Sequence, residues 1–509
     1  MSDFLAAAGL LAAAAACAAA ILLPPGRRRS LAMLIAIGLF PVLILGDQWH
    51  TRQIVDLRQD DARIAALLAG GALAVGLLTY VFRRWPVLMP LAIVAALPFR
   101  VPLHAGGDTA NLLVPLYLVI AAAVVFTLLR DWRSPPSSWT PRPLAWLLAA
   151  FVVLYAVQTL YSGDFSEGLQ NVCFFLVPFT VAYRLLREVE WDRRLLRLVV
   201  IVLAVEATAF VLIGSVEYLT RSLFWNDQVI RSNEFHTYFR VNSVFWDPNI
   251  YGRYLALVAT IAMATLLWVR DRREFALLTA LIGILWLGLA QTFSQSSFIA
   301  LLAGLAVLAA IRWSWKWTLA AVAVGVVAAA LVVTLAGGKS VDASNFFNRI
   351  NVDTSGRANL VEGGIDLFAE RPLQGYGSGS FQDAYRDHRE NKDVPVSVSH
   401  TEPITVAAEQ GLLGLTIYVA LIVVALWTMT SGIRGPPMGG VGGESENGAG
   451  LPRPQDSPYV AARAAVLAAF VALLVHSMAY AGFFEDPITW VLLAVGASLA
   501  APPTVRDSA

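Results

Sequence analysis

Charge is scarce in this chain. Asp, Glu, Lys and Arg make up 14% of its 509 residues and 57% are hydrophobic, whereas soluble domains carry about 25% charged residues. That shortage excludes an ordinary soluble globular protein and points to a polytopic membrane protein. Only two cysteines are present, Cys17 and Cys173, both inside apolar runs, which argues against a disulfide framework. The run ending at Cys17 weakly resembles a lipidation site, but no basic region precedes it and Arg27–Arg29 follow it, so a first membrane helix is expected. There is no H-E-x-x-H and no cysteine pair spaced for zinc, so no metal constellation is visible. No repeat relates the two halves, and Glu206 is the main charge inside an expected span. The missing repeat weighs against a transporter, which often repeats its halves, whereas Glu206 is the feature that favours one, since transporters place charge near mid-membrane; a buried carboxyl paired with a neighbouring helix accounts for it equally well.

What is abundant is apolar sequence in lengths suited to a bilayer. A span needs roughly 20 apolar residues, and about fifteen are expected on that rule: near 4–23, 31–46, 63–82, 86–99, 111–129, 143–160, 171–186, 195–213, 249–269, 275–291, 297–311, 317–336, 403–429, 460–479 and 487–502. All must be helices, because an open strand edge cannot be satisfied in lipid. Alternate connections hold Arg27–Arg29, Arg83 and Arg84, Arg130, Arg133 and Arg142, Arg184 to Arg197, Arg270 to Arg273, then Arg312 and Lys316. Arginine-rich short loops face the cytoplasm, so the amino terminus is expected outside and the carboxyl terminus inside. Loops 47–62, 100–110, 214–248, 292–296 and 337–402 then share the extracytoplasmic side. The chain divides into amino-terminal helices (1–213), central helices with the 214–248 loop (214–336), the long external loop (337–402) and carboxyl-terminal helices (403–509). The last group holds a flexible cytoplasmic linker within 430–459 by composition.

Four polar clusters lie on the external side. In RVNSVFWDPNIYGRY (240–254), Asp247-Pro248-Asn249 is a helix-start signal, and Arg240 offers a planar donor fork suited to phosphate or a lipid headgroup. Ser294, Gln295 and Ser296 form a polar break that could line a cavity or cap a turn. The long loop carries Arg349, Arg357, a helix expected over 357–370 that ends at Arg371-Pro372, and a glycine-rich turn at Gln374–Gly379. That turn lets backbone approach a ligand closely, although no basic residue follows it in P-loop register, which argues against nucleotide. His400 closes the loop with Glu402 two residues on; a histidine there can take a proton near neutral pH and a carboxylate can orient it. Glu485-Asp486 reads as a helix cap.

The pattern R-x-x-S-x-F-x-x-P-N at 240–249, SGR at 355–357 with RPLQGYGSGSF at 371–381, and the run from His400 through Glu409, Gly411 and Gly414 to Leu415 together resemble the O-antigen ligase and polymerase superfamily. The resemblance covers the second half of the chain. It implies a glycosyltransferase-C-like bundle of about 12–15 transmembrane helices in the cytoplasmic (inner) membrane, with its site on the periplasmic face. It implies a metal-independent transfer, without cofactor, of glycan from a polyprenyl diphosphate carrier to a glycan, lipid or protein acceptor; no nucleic acid is expected. It assigns diphosphate contact to Arg357 and Arg240 and the base-like role to His400. Arg349, Asn249, Gln295, Glu402, Glu409 and Gly377 complete the candidate substrate-binding set. Where the family carries Ser-Arg this chain has Ser294-Gln295, so Arg240 or Arg349 must supply that cation. The alternative is a transporter or flippase of envelope glycans or solutes.

Overall fold

A computed structural model describes residues 3–105, 108–132, 140–235, 238–336, 357–388, 399–431, 433 and 458–500. The architecture is all-α and polytopic. Among the described residues, eleven helices are long and apolar enough to cross a membrane, from Phe4–Leu22 to Tyr459–Ser477. Four expected spans differ from these. The stretch 86–99 yields only Leu88–Ala96, nine residues or about 14 Å, because Pro86 and Pro98 bracket it. Two others are the shorter helices Pro143–Thr159 and Pro487–Leu499, and 317–336 lies in the 22-residue helix Trp315–Ala336. After the nine-residue helix, Val101–Ala105 pairs antiparallel with Asp108–Leu112, so the connection expected on the external side at 100–110 contains a two-stranded ladder. The expected linker at 435–458 lies, except for Pro458, outside the described residues.

The chain forms two compact units. The first comprises Met1–Val189, Asp342–Val424 and Ser477–Ala494. In it, Arg29 and Asp131, both buried, pair directly, and Ser30 donates to Asp131 at 2.7 Å. Glu188 joins Arg29 and, at 2.9 Å, Arg184, whose Nε donates to Ala20 O at 3.1 Å. A buried charge is tolerated only when paired, so this cluster fixes which helix ends meet. The ends bearing Arg27–Arg29, Arg130 and Arg184 gather on one side, as the alternation of arginine loops requires. At the far end of the Arg27–Asp47 helix, Asp47 accepts from Ser166 at 2.8 Å. The polar clusters of this unit lie at that opposite end.

There the glycine-rich turn and a membrane helix are built together. The helix Glu402–Thr430 is interrupted at Gly411, whose φ of 62° and ψ of −163° are not helical. An interruption frees backbone groups that lipid cannot satisfy. The glycine-rich turn supplies the partners: Tyr376 N donates to Ala408 O at 3.1 Å, Gly377 N to Glu409 O at 2.8 Å, and Leu412 N to Pro372 O at 2.7 Å. Gln158 Nε2 reaches Gln410 O at 3.0 Å. A Cβ at Gly411 would stand 2.4 Å from Leu373 O. Gly411→Ala is therefore expected to destabilise by about 2 kcal/mol or more, from left-handed strand-like strain and overlap combined. Gly76→Ala, which meets nothing within 4 Å, should be neutral. Thermal unfolding of both variants in detergent checks this, and equal midpoints would contradict it.

The helix Arg357–Glu370 forms where the sequence places it and packs Leu367 onto Phe381 and Tyr385 of the helix Phe381–His388 and onto Ala408. His388 Nδ1 lies 2.9 Å from Glu370 Oε1, tying the two short helices together.

The second unit comprises Glu190–Val341, Ala425–His476 and Val495–Ala509. Small residues let its helices approach closely, with Ala264, Leu308, Ala464, Ala465 and Ala468 in one buried cluster, a packing typical of membrane helices. Glu206 accepts from Tyr254 on the neighbouring helix at 3.0 Å, so the intramembrane carboxyl has a structural partner. Glu217, fully buried, accepts from Ser243 N at 2.7 Å, Asn242 N at 3.2 Å and Phe224 N at 3.4 Å. One carboxylate thereby closes the loop that carries Arg240.

Candidate active site

In the second unit Arg240 is held from both backbone and side chain. Its N–H donates to Asn233 Oδ1 at 3.0 Å and its carbonyl accepts from Asn233 Nδ2 at 2.9 Å. Its Nε donates to Thr292 O at 2.9 Å and its Nη2 to Asn249 Oδ1 at 3.0 Å. The guanidinium plane is thus set before any ligand arrives, the preorganisation that anion stabilisation requires. Asp247 caps the Pro248–Trp268 helix through Asn249 N at 2.6 Å, as its sequence position suggests. Asn249, by contrast, uses its side chain to hold Arg240. Ser294 and Ser296 are buried, bonded to each other and to their surroundings, while Gln295 is exposed.

In the first unit His400 begins the approach to the Glu402–Thr430 helix with φ of 61°, a left-handed conformation uncommon for a residue with a side chain. Both neighbours enforce it. Ser399 Oγ bonds Thr401 O and Thr405 Oγ1, each at 2.8 Å, and Thr401 Oγ1 donates to Met478 O at 3.1 Å. The imidazole stands edge-on to Tyr480, ring centres 6.5 Å apart. Arg357 is the first residue of its helix in this same unit; Arg349 lies outside the described residues. Gly377, with φ of 102°, makes its close approach to Ser162, where a Cβ would stand 2.4 Å from Ser162 Cα.

Beside this helix start is a cavity of about 250 Å³. Its wall combines aromatic rings, Tyr155 and Phe484 among them, with Glu167, Glu402, Glu409 and Glu485. Two of the carboxylates are structural anchors. Glu402 accepts from Gly482 N at 2.7 Å and Phe483 N at 3.1 Å; Glu409 accepts from Gly379 N at 2.9 Å and Phe381 N at 3.2 Å. Of the expected Glu485-Asp486 cap, Asp486 performs it, accepting from Ile488 N at 2.8 Å, whereas Glu485 faces the cavity. Glu485 is open to the cavity rather than sealed by protein, yet loss of bulk water there, reinforced by the Glu402, Glu409 and Glu167 carboxylates, raises its pKa from 4.5 toward about 8.

That shift has a stability consequence. Between about pH 4.5 and 8 folded Glu485 keeps a proton that the unfolded chain has lost, so its contribution to stability falls as pH rises through this window. Glu485→Gln is expected to flatten the decline of thermal midpoint between pH 6 and 8.5. Parallel pH curves for the two proteins would show that Glu485 titrates as an ordinary surface carboxyl.

Among the described residues no group of three or more His, Cys, Asp or Glu could hold a metal ion. Sequence reasoning missed Asn233, which grips the Arg240 backbone from nearby in the chain, Thr292, which holds its side chain from farther along, and Glu217, which closes its loop through Asn242 and Ser243; only the charge of Glu217 beside an apolar run signalled it. It also missed Glu485 as a cavity residue. No curated protein matches this chain. Residues 280–419 match the family model described as O-antigen ligase, a stretch that contains the motifs at 355–357, 371–381 and 400–415 but not the pattern at 240–249.

Proposed function

We propose that the protein transfers a glycan from a polyprenyl diphosphate carrier to an acceptor hydroxyl on the extracytoplasmic face of the cytoplasmic membrane. The observation that carries this reading is His400: it lies inside the O-antigen ligase match, held in a left-handed backbone by both neighbours. Strain of about 1–3 kcal/mol persists at such positions where function depends on side-chain placement. In the reaction the acceptor oxygen bonds to the anomeric carbon and the bond from that carbon to the diphosphate oxygen breaks. The electron pair leaves with the diphosphate, whose growing charge must be held by cations; the candidates are Arg240 in the second unit, Arg357 in the first, and Arg349. The acceptor proton passes to His400. A cavity combining aromatic faces with carboxylates suits sugar rings and their hydroxyls, and it lies beside the same helix start.

The test is transfer in proteoliposomes supplied with polyprenyl-diphosphate-linked glycan, with mass spectrometry of lipid and acceptor products. A lengthened glycan still on its carrier identifies a polymerase, and a glycan on a new acceptor identifies a ligase. Glycan that crosses the bilayer unchanged would replace this reading with the transporter.

A further inference from the structure

We propose that His476 is a positioning residue for Arg240, acting through a directed chain of hydroxyls; this rests on the reading of Arg240 as a diphosphate-holding group. His476 is fully buried near the end of the Tyr459–Ser477 helix, far from Arg240 in sequence but in the same unit. Its Nε2 lies 3.2 Å from Ser296 Oγ. Ser296 Oγ is 3.3 Å from Ser294 Oγ, and Ser294 Oγ is 2.9 Å from Asn249 Oδ1, the atom that accepts from Arg240 Nη2 at 3.0 Å.

The direction of this chain follows from the chemistry of its far end. A guanidinium can only donate, so the Asn249 atom facing Arg240 must be the carbonyl oxygen. That oxygen cannot donate, so Ser294 spends its one proton on it. Ser294 then accepts from Ser296 and, at 2.8 Å, from Ser297. With the Ser296 proton committed to Ser294, the remaining partner of Ser296 must donate, which assigns the proton to Nε2 of His476. Each link therefore donates toward Asn249, and every hydroxyl is polarised in the same sense. The consequence is a fully oriented Asn249 carbonyl that accepts two bonds at once and cannot rotate its amide toward Arg240. A donor at His476 Nε2 is what closes the set; an apolar side chain there leaves Ser296 free to turn its proton elsewhere and releases Ser294 from Asn249.

The experiment measures binding of undecaprenyl diphosphate to the purified full-length protein in lipid nanodiscs, which needs no turnover. Arg240→Ala, His476→Leu, His476→Gln and the double variant Arg240→Ala/His476→Leu are compared with wild type at matched yield and monodispersity. Arg240→Ala is expected to weaken binding most, and His476→Leu about fivefold to tenfold, the range of coupling expected within one hydrogen-bonded network. His476→Gln, whose amide nitrogen can replace the Nε2 donor, should return to within about twofold of wild type. The double variant should bind no more weakly than Arg240→Ala alone, because a residue acting only through Arg240 has nothing left to act on. Normal binding by Arg240→Ala would overturn the diphosphate reading itself and the inference with it. Weakened Arg240→Ala with normal His476→Leu overturns the inference alone. So does a His476→Leu loss that glutamine fails to rescue or that adds to the Arg240→Ala loss, since either marks a general packing role.

Discussion

Arg240→Ala is expected to lower glycan transfer about 10²–10³-fold, the size of loss seen when one preorganised charge-stabilising donor is removed from an active site. Expression and insertion should be unaffected, because the loop holding Arg240 is closed by Glu217 through backbone N–H groups of other residues, and the Arg240 backbone keeps both bonds to Asn233. Arg240→Lys should recover only part of the activity. An ammonium cannot occupy the Thr292 and Asn249 acceptors as a planar fork and still present a flat face to an anion. Transfer rates in proteoliposomes settle the matter, and full activity in the alanine variant would remove Arg240 from the diphosphate clamp.

His400→Ala should lower turnover about 10²–10⁴-fold, the usual contribution of a positioned general base, and should change the affinity for carrier far less. The pH profile separates a base from a structural loop residue. Only the neutral imidazole accepts a proton, so wild-type transfer should rise over the pH interval in which the ring loses its proton. His400→Ala should retain a low, nearly pH-independent rate over that interval. An alanine variant with normal turnover and an unchanged profile would make Glu402 or Glu409 the next candidate base. Those two carboxylates are engaged in anchoring backbone, so their loss should reduce protein yield as well as rate.

Most of the spans were legible because span length is a compositional property, readable without neighbours. Arg357–Glu370 was legible for a similar reason, since Pro372 ends its helix locally. Asp247 and Asp486 read correctly as caps because capping involves residues two or three apart. The interruption at Gly411 was not legible: a glycine in an apolar run reads the same whether the helix continues or breaks, and only the distant turn at 375–379 decides it. The nine-residue helix at Leu88–Ala96 was overestimated because apolar composition continued beyond its prolines. Side-chain networks were least visible. The bonds from Asn249 to Ser294 and from Ser296 to His476 join positions 45 and 180 residues apart, separations at which one sequence carries no pairing signal.

The break at Gly411 also governs how this protein can be recombined with others. Carbonyls at Ala408 and Glu409 find their donors in the glycine-rich turn, and the Leu412 N–H finds its acceptor at Pro372. Neither segment is complete alone. A chimera that exchanges the external loop but keeps its own 402–415 segment therefore pairs a turn and a helix start of different origin, and strands polar backbone at the bilayer boundary. An exchange that preserves the break must therefore move the turn at 372–377 and the helix segment 408–412 as one piece.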